Sequence, residues 1–269
     1  MEQHTLSVIM PALNEEKNIK NAIESTLNAF KFHGINGEII VINDGSSDNT
    51  RSIVEDIIGN TEPVQLINHE KPQGIGSSYR DGVKLSEKDI VVMFPGDNEN
   101  DPVDALTFFS LLNHVDIVVP FIFNVEVRDR KRRLISSLYR FIMNVSFGAN
   151  LKYYNGTVFY RRVLLEDVEF ENLGFFYQAE ILIKLIRKGY LFAEVPNCLC
   201  MRNNGKSKAV TFKSLCQVIK GYLNLFYKIH IKRVEKTDKG FKKLREESVS
   251  YIKKEKTKII LNEKEVVHA

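Results

Sequence analysis

The sequence predicts an α/β chain built on a mostly parallel central sheet with helices on both faces. Three observations carry that reading. Short β-branched apolar runs alternate with amphipathic stretches over the first 120 residues. Each amphipathic stretch is long enough to cross over between parallel strands. The residues after the apolar runs are polar and turn-rich, as they are at the carboxyl edge of such a sheet, where ligands bind.

Taken in order, Leu6–Met10, Glu38–Asn43, Val64–Asn68, Asp89–Phe94 and Asp116–Pro120 read as buried strands. Helices are expected over Glu16–Phe32, Asp48–Ile58, Gly76–Leu85 and Val103–Leu112. Ser47 or Asp48 would cap the second helix, and Pro102 suits the first turn of the fourth. The second half is less regular. A basic cluster, Arg128–Arg133, leads into an amphipathic helix over Leu134–Phe147. A strand at Thr157–Arg161, a helix at Gln178–Lys188 and a strand at Leu191–Val195 follow. Phe212–Ile231 is apolar and aromatic, with lysines at positions 213, 220 and 228, the pattern of an amphipathic helix lying on a surface. From Lys232 the chain is charged and expected to fray.

Composition excludes several classes. With 269 residues, 43% hydrophobic and 27% charged, the chain suits one large α/β domain. No apolar run reaches the roughly 18–20 residues needed to cross a bilayer. The first 13 residues lack the basic start of a secretory leader, so a cytoplasmic location is expected. Three cysteines, Cys198, Cys200 and Cys216, are too few for a disulfide framework and read as small hydrophobes. From Lys228 onward 13 Lys or Arg face 7 Asp or Glu, a charge of +6, whereas the rest of the chain carries −2. A near-neutral body with a basic tail points to an anionic surface or to a solvated lysine-rich helix. No nucleic-acid-binding module is recognisable, and a homo-oligomer is compatible with the pattern.

Four strand-end loops concentrate the unusual residues: Pro11–Glu16 (PALNEE), Asp44–Asp48 (DGSSD), Lys71–Gly76 (KPQGIG) and Pro95–Pro102 (PGDNENDP). Asp44 and Asp97 each close an apolar strand, where a carboxylate meets a ligand or caps a turn. One would accept from a base or ribose. The other, with Glu99 two residues on, would hold Mg²⁺ or Mn²⁺, cations that take oxygen ligands and are commonly shared with substrate phosphates. The Gln73–Gly76 loop is not a dinucleotide fingerprint. It follows the third strand rather than the first, and Tyr79 stands where the third glycine belongs. A phosphate-gripping GxxxxGK[ST] loop is absent.

Together these four loops resemble family 2 glycosyltransferases, which have the GT-A fold. The likeness leans to the polyprenyl-phosphate branch, similar to dolichol-phosphate mannose synthases, and covers about Leu6–Lys228. Later pieces match that branch as well: Asn155-Gly156-Thr157, Tyr160-Arg161-Arg162, Phe176–Glu180, Ala193–Pro196 and Gly205–Lys208. The resemblance implies a catalytic domain over 1–210, with a nucleotide-binding half to about 120 and an acceptor-binding half beyond it. An amphipathic helix and basic tail would fill 211–269. Pro11, Asn14, Glu15, Asp44, Gly74 and Gly76 would bind the nucleotide, and Asp97 with Glu99 the metal. Arg132 and Ser136 would take an acceptor phosphate, and Gln178 and Glu180 would border the sugar. Arg202 and Lys208 would lie over the donor phosphates. Asp97, Glu180 and Arg202 are the implied catalytic set.

The chain departs from the family pattern in three places. Pro95 occupies the position of the first metal aspartate, Asn43 stands where an Asp often precedes Asp44, and Pro120-Phe121 replaces an arginine after the fifth strand. The implied activity is inverting transfer from a nucleoside-diphosphate sugar. Its acceptor would be a polyprenyl phosphate at a membrane surface or a sugar hydroxyl of a growing glycan. Stacking on Phe175, Phe176 and Tyr177 and simple core packing are both open for that aromatic run. A nucleotide-sugar-binding assembly factor without catalysis is the reading from a different class.

Overall fold

The computed structural model describes residues 4–59, 63–127, 130–198, 212–232 and 244–267. Strand β1 (Leu6–Ala12) leads through α1 (Ile19–His33) to β2 (Gly37–Asn43), then through α2 (Thr50–Ile58) to β3 (Val64–Asn68). Helix α3 (Ile75–Leu85), β4 (Ile90–Met93), α4 (Pro102–Leu106) and β5 (Ile117–Ile122) follow. The second half runs α5 (Arg130–Phe147), β6 (Phe159–Arg161), α6 (Arg162–Leu165), α7 (Tyr177–Arg187) and β7 (Phe192–Asn197). Helix α8 (Phe212–Phe226) continues into a π-helical turn (Tyr227–Ile231), and α9 (Val249–Val267) ends the described chain.

Among the described residues seven strands lie in the order β3-β2-β1-β4-β6-β5-β7, and only β6 is antiparallel, to both β4 and β5. Alternate side chains of each central strand feed two separate cores. Ile9, Ile40, Val91 and Ile117 pack with α3, α5 and α7. Val8, Met10, Ile39 and Val92 pack with α1, α2 and the Phe109–Asn113 turn. The chain winds outward from β1 through β2 to β3 and then returns to β4 on the other flank of β1. Strand order therefore reverses at β1, which puts the loops after β1 and β4 at the switch point where open α/β sheets bind ligands.

Several element bounds differ from the sequence pattern for identifiable reasons. β1 runs on to Ala12 because Pro11, which lacks an N–H, still faces Ile42 across the parallel pair, while its carbonyl accepts from Gly96 at 3.0 Å. α1 starts at Ile19 instead of Glu16 because Glu15 and Glu16 are engaged in the preceding loop. The helix expected over Val103–Leu112 splits into α4 and a separate 3₁₀ turn at Phe109–Asn113. Pro102 does sit in the first turn, with Asp101 as the cap. β6 lies between β4 and β5, so these two strands are not neighbours.

The expectation of a frayed tail from Lys232 is corrected by α9. Asp116, fully buried, accepts from the backbone N–H of Val249 at 2.8 Å and of Ser250 at 3.0 Å, as well as from the Ser250 hydroxyl. A strand-edge carboxylate thus caps a helix 133 residues away and straps it across the sheet. Arg245 adds a two-pronged contact to Asp167 at 2.7 and 2.9 Å.

Candidate active site

The four predicted loops lie at the carboxyl edge of the sheet, where side chains stitch the first three together and the Gly96 N–H joins the fourth to Pro11 O at 3.0 Å. Asn14 adopts φ 55°, a left-handed conformation that Asn tolerates better than most residues. That turn aims its Oδ1 at the second loop, where it accepts from Ser47 N at 2.8 Å. The Asn14 N–H donates in return to Ser46 Oγ at 2.9 Å. Glu15 N donates to Thr50 Oγ1 at 2.8 Å, Glu16 N to Asp48 Oδ2 at 3.1 Å, and Asn49 N to Glu16 Oε2 at 3.2 Å. Asp48 also takes the Thr50 N–H and hydroxyl at the start of α2. Burial pulls the Asp48 carboxyl upward, but these hydrogen bonds outweigh it and hold the group below its ordinary value. PALNEE and DGSSDNT are therefore one interlocked surface, with Asn14 and Ser47 exposed at its rim.

Asp44 is turned inward on the protein's own third loop. It is 5% exposed. Its Oδ1 accepts from Gln73 N at 2.8 Å and lies 2.7 Å from His69 Nδ1, and its Oδ2 accepts from Gly74 N at 2.9 Å. The far nitrogen of His69 lies 3.4 Å from Asp81 on α3. The carboxylate expected to meet the base thus first shapes the loop that starts α3. Sequence reasoning does not single out His69, although it directly follows β3. Gly74, at φ 100°, makes a turn that L side chains rarely adopt. A Cβ on Gly76 would stand 2.7 Å from the Leu173 carbonyl carbon, and its N–H donates to Leu173 O at 3.1 Å. The glycines of this loop serve a tight turn and a close backbone crossing. Tyr79 is buried among Phe170 and Tyr177, which agrees with the loop not being a dinucleotide fingerprint.

Asp97 is half-buried at the carboxyl end of β4, on the other flank of β1. Its Oδ1 accepts from Glu99 N at 3.2 Å, across a turn in which Asn98 takes φ 57°. Among the described residues no three His, Cys, Asp or Glu side chains come together as a metal cage. The oxygen chemistry of Asp97 and Glu99 nevertheless suits a hard divalent cation whose remaining ligands come from a bound diphosphate. Asp101 is occupied as the α4 cap, its Oδ1 accepting from Val103 N at 2.9 Å and Asp104 N at 3.3 Å.

The acceptor half places its residues less uniformly. Arg132 and Ser136 sit one turn apart on α5, both half-buried. Gln178 is 4% exposed and donates from Nε2 to the Tyr160 hydroxyl at 3.2 Å. The side chain assigned to border the sugar is thus buried, with its amide nitrogen on Tyr160. Phe176 and Tyr177 are likewise core residues. Glu180 is buried, accepting from Lys184 Nζ at 2.6 Å and from Asn172 N at 3.1 Å. Burial raises its carboxyl above the ordinary value even though Lys184 pulls the other way. Arg202 and Lys208, together with Cys200, Arg128 and Asp129, lie outside the described residues.

Two helices expose broad apolar faces. On α5 Leu134, Ile135, Leu138, Phe141, Ile142 and Val145 are 40–72% exposed. On α8 and its π-helical turn, Leu215, Ile219, Leu223, Tyr227 and Ile231 are 45–63% exposed. The two helices touch through Phe147, Tyr222 and Phe226, and Ser146 Oγ lies 2.8 Å from the Tyr222 hydroxyl. No helix among the described residues is long and apolar enough to cross a membrane. The α5 face has no counterpart in the sequence pattern, which assigns surface contact to Phe212–Ile231 and to the basic cluster alone.

Comparison with known proteins adds three findings. The family model described as Glycosyl transferase family 2 matches residues 7–169. A dolichol-phosphate mannosyltransferase of Pyrococcus furiosus is 29% identical over 76% of this chain and 58% of its own length. The chain thus spans little more than half of that relative. A dolichyl-phosphate beta-glucosyltransferase of Trichomonas vaginalis is 30% identical over 34% of this chain and 30% of its own. Among solved structures, the glucosyl-3-phosphoglycerate synthase of Mycobacterium tuberculosis, crystallised with Mg²⁺ and UDP, superimposes with a TM-score of 0.63. The match has 22% identity and covers 82% of this chain and 79% of that one, and it establishes the shared fold.

Proposed function

The chain belongs to glycosyl transferase family 2, and on that premise we propose that it transfers a sugar, with inversion, from a nucleoside-diphosphate sugar to a polyprenyl phosphate at a membrane surface. The observation that carries the reading is the switch point at β1. Interlocked loops follow β1 and β2, and the loop carrying Asp97 follows β4 on the other flank of β1. The named relatives act on dolichol-phosphate, and the solved relative was crystallised with UDP and Mg²⁺.

In this reading Pro11, Asn14 and Glu15 line the nucleoside, and Asp44 holds the Gln73–Gly76 loop in place beneath it. Asp97, with Glu99 beside it, would hold a divalent cation, which when bound would supply electrostatic stabilisation of the departing diphosphate. The acceptor oxygen forms its bond to the anomeric carbon as the carbon–oxygen bond to the diphosphate breaks on the opposite face. The electron pair leaves with the diphosphate. Arg202 and Lys208 are assigned to that diphosphate, and Arg132 and Ser136 to the acceptor phosphate.

The state of the carboxylates favours a phosphate acceptor over a hydroxyl. A lipid phosphate is already anionic, whereas a hydroxyl needs a base. Two carboxylates, Asp101 and Glu180, are the candidates for that base, and both have structural work: Asp101 caps α4, and Glu180 pairs with Lys184. The exposed apolar faces of α5 and α8 suit the lipid interface, flanked by exposed Arg130, Lys131, Arg140, Lys220 and Lys232. Each such basic residue adds about 1 kcal/mol of attraction to anionic lipid.

The test is sugar-nucleotide turnover by the purified protein with Mn²⁺, offering polyprenyl phosphate and glycan acceptors in parallel. Transfer to polyprenyl phosphate that disappears in Asp97→Ala supports the proposal. Transfer to glycan hydroxyls alone, abolished by Glu180→Gln, would replace it with the hydroxyl reading.

A further inference from the structure

One short segment, Glu171–Gly174, touches both the helix proposed to meet lipid and the loop proposed to meet the donor. The Glu171 carboxylate joins three elements. Its Oε1 lies 3.1 Å from Lys184 Nζ on α7, and its Oε2 accepts from Asn224 Nδ2 on α8 at 3.2 Å and pairs with Lys228 in the π-helical turn. Burial pushes the Glu171 carboxyl upward, yet Lys228 and Lys184 together hold it below its ordinary value. The next residue, Asn172, packs against Gly221 of α8 so closely that a Cβ there would overlap its side-chain amide. A Cβ on Gly174 would meet Gln217 Oε1 of α8 at 2.9 Å. On its other side, the Leu173 carbonyl accepts the Gly76 N–H and leaves no room for a Cβ at Gly76.

These contacts form one continuous run of hydrogen bonds and close approaches from α8 through Glu171–Gly174 to Gly76, the kind of contiguous network that carries coupling between sites. Gly221 and Leu225 are buried on the inner face of α8, while Ile219 and Leu223 stand exposed on it. Seating that outer face in lipid fixes α8, and with it Glu171 and Asn172. A nucleotide that settles on Gly74–Gly76 fixes Leu173 from the opposite side. Two ligands that order the same residues help each other, because the second meets a segment already ordered.

We infer that Glu171–Gly174 couples membrane docking of α8 to the donor loop, so that an anionic lipid surface tightens nucleotide binding. The inference rests on the donor and membrane assignments proposed above. Coupling of this kind is reciprocal, so bound nucleotide also strengthens membrane attachment by the same factor.

The experiment measures the dissociation constants of UDP and GDP with Mn²⁺, with and without vesicles of phosphatidylcholine and phosphatidylglycerol, and vesicle affinity with and without nucleotide. The full chain should bind its nucleotide at least about fivefold more tightly on vesicles, roughly 1 kcal/mol. Vesicle affinity should rise by the same factor when nucleotide is present. Glu171→Gln should still bind each ligand while the factor falls to within about twofold of unity. Lys228→Met, which keeps the aliphatic stem and removes the other half of the pair, should do the same. Two results would overturn the inference and leave the transferase reading standing: no change in nucleotide affinity on vesicles that do bind the protein, or a coupling factor that survives both substitutions. A protein that binds vesicles but no nucleotide would overturn the proposed function and the inference with it.

Discussion

Replacing Asp44 by asparagine tests whether this carboxylate shapes the Gln73–Gly76 loop. The wild-type group accepts three hydrogen bonds in a 5% exposed position, from Gln73 N, Gly74 N and His69. An amide has one acceptor oxygen and one NH₂. Whichever way the substituted amide is turned, one of the two backbone N–H groups faces a donor. A buried donor left unsatisfied costs about 1–3 kcal/mol, and the surviving bonds drop from charge-assisted to neutral strength at roughly 1 kcal/mol. The total is about 2–4 kcal/mol, and a chain of this length should then melt about 4–7 °C lower. Differential scanning calorimetry of the two proteins gives the comparison, and nucleotide titration of both should show weaker binding in the variant. A melting point within about 2 °C of wild type would refute the claim that Asp44 shapes the Gln73–Gly76 loop. Base contact would then be its only remaining role.

Other substitutions probe the remaining parts of the account. Gly76→Ala drives a methyl into the Leu173 backbone, so overpacking of about 1–3 kcal/mol and weakened nucleotide binding are expected by calorimetry. Asp116→Ala uncaps α9 and leaves Arg161, 3.4 Å away, without its buried partner. A loss of about 3–5 kcal/mol is expected, with limited proteolysis releasing the C-terminal helix first. Leu223→Glu should abolish vesicle sedimentation while leaving the melting point within about 1 °C, because the side chain is 57% exposed. Acid should destabilise the fold. Asp48, Asp81, Asp89 and Glu171 sit below their ordinary values in the folded state. Their stabilisation is therefore present above about pH 4 and lost as pH falls through the lowered values. Glu180, raised by burial, runs the opposite way, its contribution declining as pH rises past the ordinary carboxylate range. Melting curves from about pH 3 to pH 8 for wild type and Glu180→Gln separate the two.

The first half of the fold is legible because its signals are redundant. Leu6–Met10 and Glu38–Asn43 are β-branched, short and bounded by turn residues, so period and composition agree. Phe159–Arg161 falls within a strand expected at Thr157–Arg161, but its antiparallel insertion between β4 and β5 follows from long-range pairing that no local pattern encodes. The same holds for α9, whose cap is supplied by Asp116 from across the sheet. At the site, residue type locates the loops but not the direction in which side chains turn. Asp44 and Glu180 stand out in the sequence as carboxylates near strand and helix ends. Only the fold shows them spent on His69 and the Gln73–Gly74 amides, and on Lys184 and Asn172. Gln178 and Tyr177 belong to a motif string, and burial of the α7 face turns both into the core. His69 and Glu171 carry no motif at all, and their importance comes from partners 25 and 57 residues away.

Thermal melting with UDP, GDP, CDP or dTDP, each with and without Mn²⁺, shows whether the loops after β1, β2 and β4 bind a nucleoside diphosphate together with a divalent cation, as proposed above. A ligand at about a hundred times its dissociation constant adds about 2.7 kcal/mol, a shift of about 5 °C for a chain of this size. The account predicts that one nucleotide raises the melting point only when Mn²⁺ is present, and that Asp97→Asn removes the shift without lowering the unliganded melting point. An absent shift for every nucleotide, or a full metal-dependent shift that persists in Asp97→Asn, would contradict it.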